Sequence, residues 1–200
     1  MKVITLTPAL LSQAAAQLAG IVTDQRKAPY TAIVGVITGG AVLADLMQPH
    51  LPPMKRFEIL FRRPSTKLKD KAPGVFSVLK HLPLVVSDWL RIAESQYLYL
   101  HSRKQRNVSR PALDNDLREF VASLPPGSPI LLVDDSIDSG ATIAGCLEAL
   151  REVNPGISIT VATLTVTMPN PLVNPDFSLY SGRTLVRFPW SKDYRQNTSR

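Results

Sequence analysis

The chain has 200 residues, of which 44% are hydrophobic and 20% are charged, and this balance excludes a disordered, collagenous or fibrous protein. With 23 Lys and Arg residues against 16 Asp and Glu residues, the net charge is +7, which favours anionic partners such as phosphorylated metabolites, nucleic acid or an acidic membrane face. The length suits one ordinary domain, so we expect a single domain over residues 1–200.

Cysteine usage and hydropathy indicate where the protein resides. Cys146 is the only cysteine, so no internal disulfide can form, and His50, His81 and His101 show no metal-ligand spacing. These features are typical of a reducing compartment, and we expect a cytoplasmic protein. No stretch reaches the roughly 18–20 apolar residues of a membrane span, and Pro8 interrupts the N-terminal apolar run, so neither a membrane segment nor a signal peptide is expected.

The beginning of the chain predicts a helix and then a strand, a turn and a second helix. Thr7 and Pro8 are a favourable N-cap and first helical residue, and the run that follows keeps helical spacing until Gly20, which we expect to end the helix. Residues 31–37 are a short β-branched apolar run typical of a buried strand. The glycine turn after this strand leads into a predicted helix at 41–47.

The rest of the chain repeats this order. A strand is expected at 54–61, another at 130–133 and a helix at 142–153, after which 157–167 and 184–188 predict two further strands. Strands that alternate with helices form a mostly parallel sheet flanked by helices. We therefore predict an α/β fold of this kind.

Residues 73–124 do not follow the alternation of strands and helices. A capping pair, Ser87 and Asp88, precedes an amphipathic run that extends to Leu100, and Pro111 precedes a second such run. The sequence therefore predicts a helical insertion in the α/β domain at 73–124.

The segment 130–142, ILLVDDSIDSGAT, combines a buried strand, two adjacent carboxylates, a loop of small residues and a helix start. The end of a parallel strand faces the ligand crevice of an α/β sheet, and N–H groups at a helix N-terminus bind phosphate. The predicted phosphate loop comprises Ser139, Gly140, Ala141 and Thr142. Asp134 and Asp135 cannot neutralise a phosphate, so they suit sugar hydroxyls or a Mg²⁺ ion that holds the ligand. A sugar phosphate satisfies both halves of the segment.

Three alternative interpretations of the segment 130–142 have to be compared with a ligand site. Response-regulator receivers also have an apolar strand followed by two acids, but they need about a whole domain of chain after it. A Walker B strand needs a GxxxxGK[ST] loop as its partner, and the sequence has none. A purely structural turn would leave Asp134, Asp135 and Asp138 repelling one another unless a cation is bound. A ligand site therefore explains the segment better.

Four apolar residues, two acids and a D-[ST]-G-x-T loop resemble the phosphoribosyl-pyrophosphate (PRPP) motif of the type I phosphoribosyltransferases. The resemblance implies the fold of that family, and a reaction that passes phosphoribose from Mg²⁺·PRPP to a nitrogenous base and releases pyrophosphate. It implies that Asp134 and Asp135 hold the ribose hydroxyls and Mg²⁺. It also implies that Asp138 is the catalytic acid or base, and that the loop at 139–142 binds the 5′-phosphate.

A glycine loop after the predicted strand at 31–37 adds to this resemblance. The family holds pyrophosphate in a short glycine loop that follows an earlier strand, and Thr38, Gly39 and Gly40 are similar to that loop. The resemblance implies that the Thr38–Gly39 peptide is cis. A tight turn is the alternative role for two consecutive glycines.

Residues 162–190 resemble the base-binding end of the purine phosphoribosyltransferases, with a PDF segment and a terminal FPW. This predicted hood, at 165–195, is expected to contact a purine through Thr167, Leu185, Val186 and Trp190. Thr167 stands where 6-oxopurine enzymes have a lysine that binds the exocyclic oxygen, and Leu185 stands where an aromatic ring stacks on the base. The identity of the base therefore stays open. Phe188 and Trp190 equally suit packing in a core or lid.

Basic residues between the two predicted phosphate loops are candidates for a flap over the pyrophosphate. They are Lys67, Lys69, Lys71, Arg103, Lys104, Arg106 and Arg110.

Two alternative functions use the same fold. One is a PRPP- or nucleotide-sensing regulator that binds nucleic acid through residues 103–110, and the other is an enzyme acting on a nonstandard acceptor. The preferred interpretation expects small-molecule substrates, no membrane or nucleic-acid partner, and a surface compatible with a homo-oligomer.

Overall fold

The helices and strands alternate along the chain. The computed structural model describes residues 2–25, 29–61, 108–180, 184–191 and 194. In these ranges the elements are β1 (Lys2–Thr5), α1 (Pro8–Asp24), β2 (Ala32–Ile37), α2 (Gly39–Met47), β3 (Lys55–Leu60), α3 (Asn115–Ser123), β4 (Pro129–Ile137), α4 (Ala141–Val153), β5 (Ser158–Val166), β6 (Phe177–Tyr180) and β7 (Thr184–Arg187). A 3₁₀ turn, Gln48–His50, follows α2.

The central sheet has five parallel strands in the order β3-β2-β4-β5-β6. A second, two-stranded sheet joins β1 and β7 in parallel, with Val3 opposite Leu185. The prediction of a mostly parallel sheet flanked by helices is therefore confirmed.

Strand β4 lies in the middle of the sheet, and its apolar run is buried on both faces. Leu131 and Val133 pack in the core that α1 and α2 cover, while Ile130 and Leu132 pack in the core that α3 and α4 cover. None of these four side chains is accessible to solvent. A strand covered on both sides reads as continuous apolar sequence, which is why 130–133 predicts it so clearly.

Helix α1 begins where the sequence predicts, because Thr7 Oγ1 accepts a hydrogen bond from the N–H of Leu10. The prediction that Gly20 ends this helix is wrong, since α1 continues to Asp24. Glycine in a helix costs only about 1 kcal/mol relative to alanine. The Val22 side chain is fully buried in the core under α1. The free energy of this burial stabilises the last turn of the helix and offsets the cost of the glycine.

Two short strands, β1 and β6, have no counterpart in the prediction. The main chain of Asp176 donates to the carbonyl of Val161, and its side chain accepts from the N–H of the same residue. These two bonds fix the chain beside β5 at the start of β6. Partners distant in sequence thus create β6, and β1 likewise forms by pairing with β7.

The described part of the predicted insertion contains one helix, α3. It begins at Asn115 rather than at Pro111, because Asp114 is the N-cap and its Oδ1 accepts from the N–H of Leu117 at 2.7 Å. The remainder of the prediction, over 73–107, lies outside the described residues. In the part of the chain that the structure describes, no helix is long and apolar enough to cross a membrane.

We expect Asp114→Ala to destabilise the protein by about 1 kcal/mol, because it removes the only side-chain acceptor at the start of α3 in the described structure. Asp114→Asn is the matched control, since asparagine keeps the acceptor and the side-chain size. Urea unfolding monitored by circular dichroism measures both variants. Equal stability of the alanine and asparagine variants would show that the cap contributes nothing.

Candidate active site

The carboxyl ends of β2, β4 and β5 meet at one edge of the sheet and bring the predicted site residues together. Gly35 of β2 lies opposite Val133 of β4, and Ile137 of β4 lies opposite Val166 of β5. Thr38 therefore follows β2 beside the acidic end of β4, and Thr167 follows β5 on its other side. This edge is where α/β sheets bind their ligands.

The predicted glycine loop packs directly on the acidic pair. A Cβ atom on Gly39 would overlap the Asp135 carboxylate, and a Cβ on Gly40 would overlap the carbonyl oxygen of Val133 and lie 2.8 Å from Cα of Asp134. Any larger residue at either position would push the two segments apart. The structure thus joins the two motifs that the sequence singled out separately.

Two details of the glycine loop differ from the prediction. The cis peptide is Ile37–Thr38, one bond before the Thr38–Gly39 peptide that the resemblance implied. Helix α2 also begins at Gly39 rather than at residue 41, with Thr38 as its N-cap. The two glycines therefore belong to the first turn of α2. The sequence predicted a turn before the helix at these positions, because glycine is a poor helix former.

The acidic pair is held by defined hydrogen bonds. Asp134 is buried, and its Oδ1 accepts from the N–H of Asp135 at 2.9 Å. Oδ2 of Asp135 accepts from the indole Nε1 of Trp190 at 3.0 Å. The Trp190 ring stacks on Phe188 with parallel planes and centroids 5.0 Å apart. The predicted base-binding residue Trp190 thus lies against the acidic pair itself.

Burial shifts the pKa values of two groups at this site. It raises the pKa of the Asp135 carboxyl above its usual range, and the hydrogen bond from Trp190 opposes part of that rise. Burial also raises the pKa of the Cys146 thiol to about 12, with a further contribution from the charge of Asp134. Cys146 is therefore a neutral core residue and has no nucleophilic role.

Asp138 lies on the other side of the site and contacts Thr167. The Thr167 hydroxyl donates to Oδ1 of Asp138 at 2.5 Å, and the Thr167 N–H donates to the carbonyl of Ile137 at 3.0 Å. Both groups of Thr167 are therefore fixed to consecutive residues at the end of β4. The sequence predicted each residue for the site but not their contact.

The predicted phosphate loop leads into α4 through a left-handed residue. Gly140 has φ +76° and is the N-cap, so it has no side chain to bond the first amides of the helix. Ser139 Oγ lies 3.4 Å from the N of Ala141, a long and weak contact. The amides of the first turn therefore remain suited to an anion.

The segment 171–173 packs against the predicted phosphate loop, a contact that the sequence did not predict. The N–H of Leu172 donates to the carbonyl of Ser139 at 2.8 Å. A Cβ on Gly140 would come within 2.8 Å of the N of Val173, so the two segments are in close contact. A proline-rich stretch without periodicity carries no signal for such a contact; only the chain path reveals it.

The remaining predicted base-binding residues lie in the β1–β7 sheet. Val186 packs in the core under α1, with Leu11 and Phe188. Leu185 is also nearly inaccessible, at 9% exposure, and pairs with Val3. The structure therefore does not bring Val186 to the acidic residues, in contrast to Trp190 and Thr167.

Most of the predicted basic flap lies outside the described residues: Lys67, Lys69, Lys71, Arg103, Lys104 and Arg106. Arg110 is described, and its guanidinium pairs with Glu148 at 2.8 Å and Glu152 at 3.2 Å on α4. These two carboxylates neutralise Arg110 locally. It is therefore a poor candidate for contacting pyrophosphate or nucleic acid.

A family model described as phosphoribosyl transferase domain matches residues 4–196. The chain belongs to the phosphoribosyl transferase family. The predicted recognition and the prediction of a phosphoribosyltransferase-type enzyme are thereby confirmed. No curated protein matches the chain in sequence.

Solved structures similar to this phosphoribosyl transferase share its fold at low sequence identity. A purine phosphoribosyltransferase from Pyrococcus horikoshii has 17% identity and a TM-score of 0.56, over 96% of this chain and 95% of that one. A xanthine-guanine-hypoxanthine phosphoribosyltransferase from Helicobacter pylori has 15% identity and a TM-score of 0.52, over 94% and 93%. A hypothetical protein from Neisseria gonorrhoeae with bound ppGpp has 16% identity and a TM-score of 0.57, over 94% and 89%.

Because the folded protein holds the Asp135 proton more tightly than the unfolded chain, ionisation of this group destabilises the fold. The destabilisation is absent well below the unfolded value of 3.8, grows as the pH rises and is complete above the raised folded pKa. We expect Asp135→Asn, measured without ligand and with a chelator, to be more stable than the wild type at pH 7. The gain should disappear as the pH falls below 4.

Thermal unfolding across this pH range measures the effect, and we expect a higher Tm for Asp135→Asn than for the wild type at pH 7. The low-pH measurement is the internal control, because both proteins then carry a neutral side chain. A loss of stability at pH 7 would contradict the assignment of burial as the dominant cause.

Proposed function

We propose that this phosphoribosyl transferase binds Mg²⁺·PRPP and transfers its phosphoribosyl group to a purine-type base, with release of pyrophosphate. The observation that carries the proposal is the packing of Gly39 on Asp135. It puts the N-terminus of α2 beside two carboxylates, and the predicted phosphate loop that begins α4 follows these carboxylates along the chain. Two anion-binding helix ends with acids between them match a sugar that carries phosphate at both ends.

The loop at 139–142 is the proposed site of the 5′-phosphate. Its uncapped first-turn amides and the hydroxyls of Ser139 and Thr142 supply donors and no opposing charge. The proposed pyrophosphate site is the start of α2 at Thr38, Gly39 and Gly40. Thr38 is exposed, whereas the two glycines are buried against the acidic residues, so the start of α2 borders both the solvent and the acidic pair.

Asp134 and Asp135 are the proposed ligands of the ribose hydroxyls and of Mg²⁺. Mg²⁺ prefers carboxylate oxygens and is commonly held by one or two of them together with substrate phosphates. Within the described residues, no group of three or more His, Cys, Asp or Glu side chains is arranged to hold a metal ion. Asp134 and Asp135 would hold Mg²⁺ together with the substrate phosphates, and the bound ion would supply positive charge to the pyrophosphate group.

In the proposed reaction the bond between ribose C1 and a pyrophosphate oxygen breaks, and pyrophosphate leaves with the electron pair. A base nitrogen forms the new bond to C1, and the proton displaced from the base passes to Asp138. The positive charge that develops at the ribose is stabilised by the nearby carboxylates of Asp134 and Asp135. The protein contributes position and charge rather than a covalent intermediate.

A purine-type base is supported by the placement of Trp190 and Thr167 around the acids. Trp190 is only partly buried, and its ring is fixed between Phe188 and Asp135, which gives a rigid aromatic surface beside the ribose site. Thr167 is bonded to Asp138, the proposed proton acceptor. The neighbour from P. horikoshii is named a purine phosphoribosyltransferase, which agrees with this class of base.

We expect the double variant Asp134→Asn, Asp135→Asn to bind Mg²⁺·PRPP about tenfold to a hundredfold more weakly than the wild type. Each lost charge-assisted contact costs about 1.5–3 kcal/mol, and partial compensation by the amides reduces the sum. Calorimetric titration with PRPP and Mg²⁺ measures the change. The control is Asp116→Asn, Glu119→Gln, which removes two exposed charges from α3. Equal losses in both double variants would indicate only a change of net charge.

We expect Asp138→Asn to keep most of the PRPP affinity and to lower turnover by about two to four orders of magnitude, because asparagine cannot accept the proton of the base. Pyrophosphate release with a panel of purines and pyrimidines measures turnover, and calorimetry measures affinity. Undiminished turnover would exclude Asp138 as the proton acceptor. PRPP binding by the wild type without turnover of any base would instead favour the regulatory alternative.

A further inference from the structure

The hydrogen bond between Thr167 and Asp138 restricts what the Thr167 hydroxyl can offer a substrate. A carboxylate has only acceptors, so the single hydroxyl proton must point at Asp138. The two lone pairs of the hydroxyl oxygen remain, and no described residue donates to them. Thr167 therefore presents an acceptor beside the proposed proton-accepting carboxylate.

The position of this acceptor is well defined. Thr167 is 8% exposed, and its N–H is bonded to the carbonyl of Ile137. The backbone bond and the side-chain bond go to consecutive residues at the end of β4, so turning the hydroxyl away would break the contact to Asp138. The pair thus offers two acceptors side by side, the free carboxylate oxygen and the threonine oxygen.

One edge of a purine carries a ring nitrogen, N7, next to the substituent at position 6. In adenine this substituent is an amino group that donates, and in guanine or hypoxanthine it is an oxygen that accepts. A base with a proton on N7 and an amino group at position 6 gives two adjacent donors to two adjacent acceptors.

Resting on the function proposed above, we propose that Thr167 selects a base with an amino group, rather than a keto oxygen, next to the ring nitrogen that faces Asp138. The selected class is the 6-aminopurines. A 6-oxo base can be accepted only if the hydroxyl turns its proton from Asp138 to the base, which leaves Asp138 with one partner fewer. Otherwise two acceptors face each other.

The first test compares adenine with hypoxanthine, which differ at position 6, as acceptors in PRPP-dependent pyrophosphate release. We expect kcat/KM to favour adenine by about tenfold or more, the usual effect of one hydrogen bond together with one mismatched pair. Thr167→Val has nearly the same shape but neither donates nor accepts, so the ratio should fall close to one. Thr167→Ser keeps the hydroxyl, and the preference for adenine should remain.

The second test measures binding of AMP and IMP by calorimetry in the same three proteins and needs no turnover. N7 carries no proton in either nucleotide, so toward the Thr167–Asp138 pair they differ only at position 6, where the amino group of AMP donates to the Thr167 oxygen. We therefore expect tighter binding of AMP to the wild type and to Thr167→Ser, and near-equal binding of the two nucleotides to Thr167→Val. The comparison within each protein cancels any general effect of a substitution on folding or on Asp138.

The outcomes separate this inference from the function on which it rests. Turnover that favours hypoxanthine in the wild type, or an adenine preference unchanged in Thr167→Val, overturns the role of Thr167 and leaves the transferase proposal intact. Absence of turnover with every base counts against the transferase proposal. In that case the binding data alone decide the inference. If the wild type binds AMP no more tightly than IMP, the inference is overturned. If the wild type and Thr167→Ser bind AMP more tightly than IMP and Thr167→Val does not, the inference is supported.

Discussion

The close approach of the first turn of α2 to the end of β4 is the constraint on which the rest of the site depends. Parallel pairing of β2 with β4 brings the two strand ends to the same edge, and only residues without a Cβ allow the following loop to touch both acids. Asp134 and Asp135 are consequently packed on one side by backbone. Their carboxylates lose contact with water there, and the raised pKa of Asp135 follows from that burial.

The acids are oriented by residues from the far end of the chain. Trp190 bonds Asp135, and Thr167 bonds Asp138, so the segment after β5 and the segment after β7 each hold one carboxylate. Side chains fixed in this way keep their geometry without the substrate, which reduces the ordering that binding requires. The same contacts use part of the hydrogen-bonding capacity of Asp135 and Asp138 and leave the rest for a ligand.

The sequence predicted the alternation of strands and helices well, because apolar periodicity is a local property. It placed β2, β3 and β5 within one or two residues of their observed bounds. The prediction was wrong where contacts between residues distant in sequence determine whether an element forms or where it ends. Gly20 lies within α1 because burial of Val22 maintains the last turn, and β1 exists because β7 lies beside it. No local pattern contains that information.

For the site, the sequence by itself determined the chemical groups. The run of two acids and a small-residue loop, and the earlier pair of glycines, were each recognisable from residue type and order. Only the tertiary structure decided which groups touch: Gly39 with Asp135, Trp190 with Asp135, and Thr167 with Asp138. Residue types fix which donors and acceptors are present, whereas their pairing depends on strand register and on a chain path that joins residues 29 to 96 positions apart.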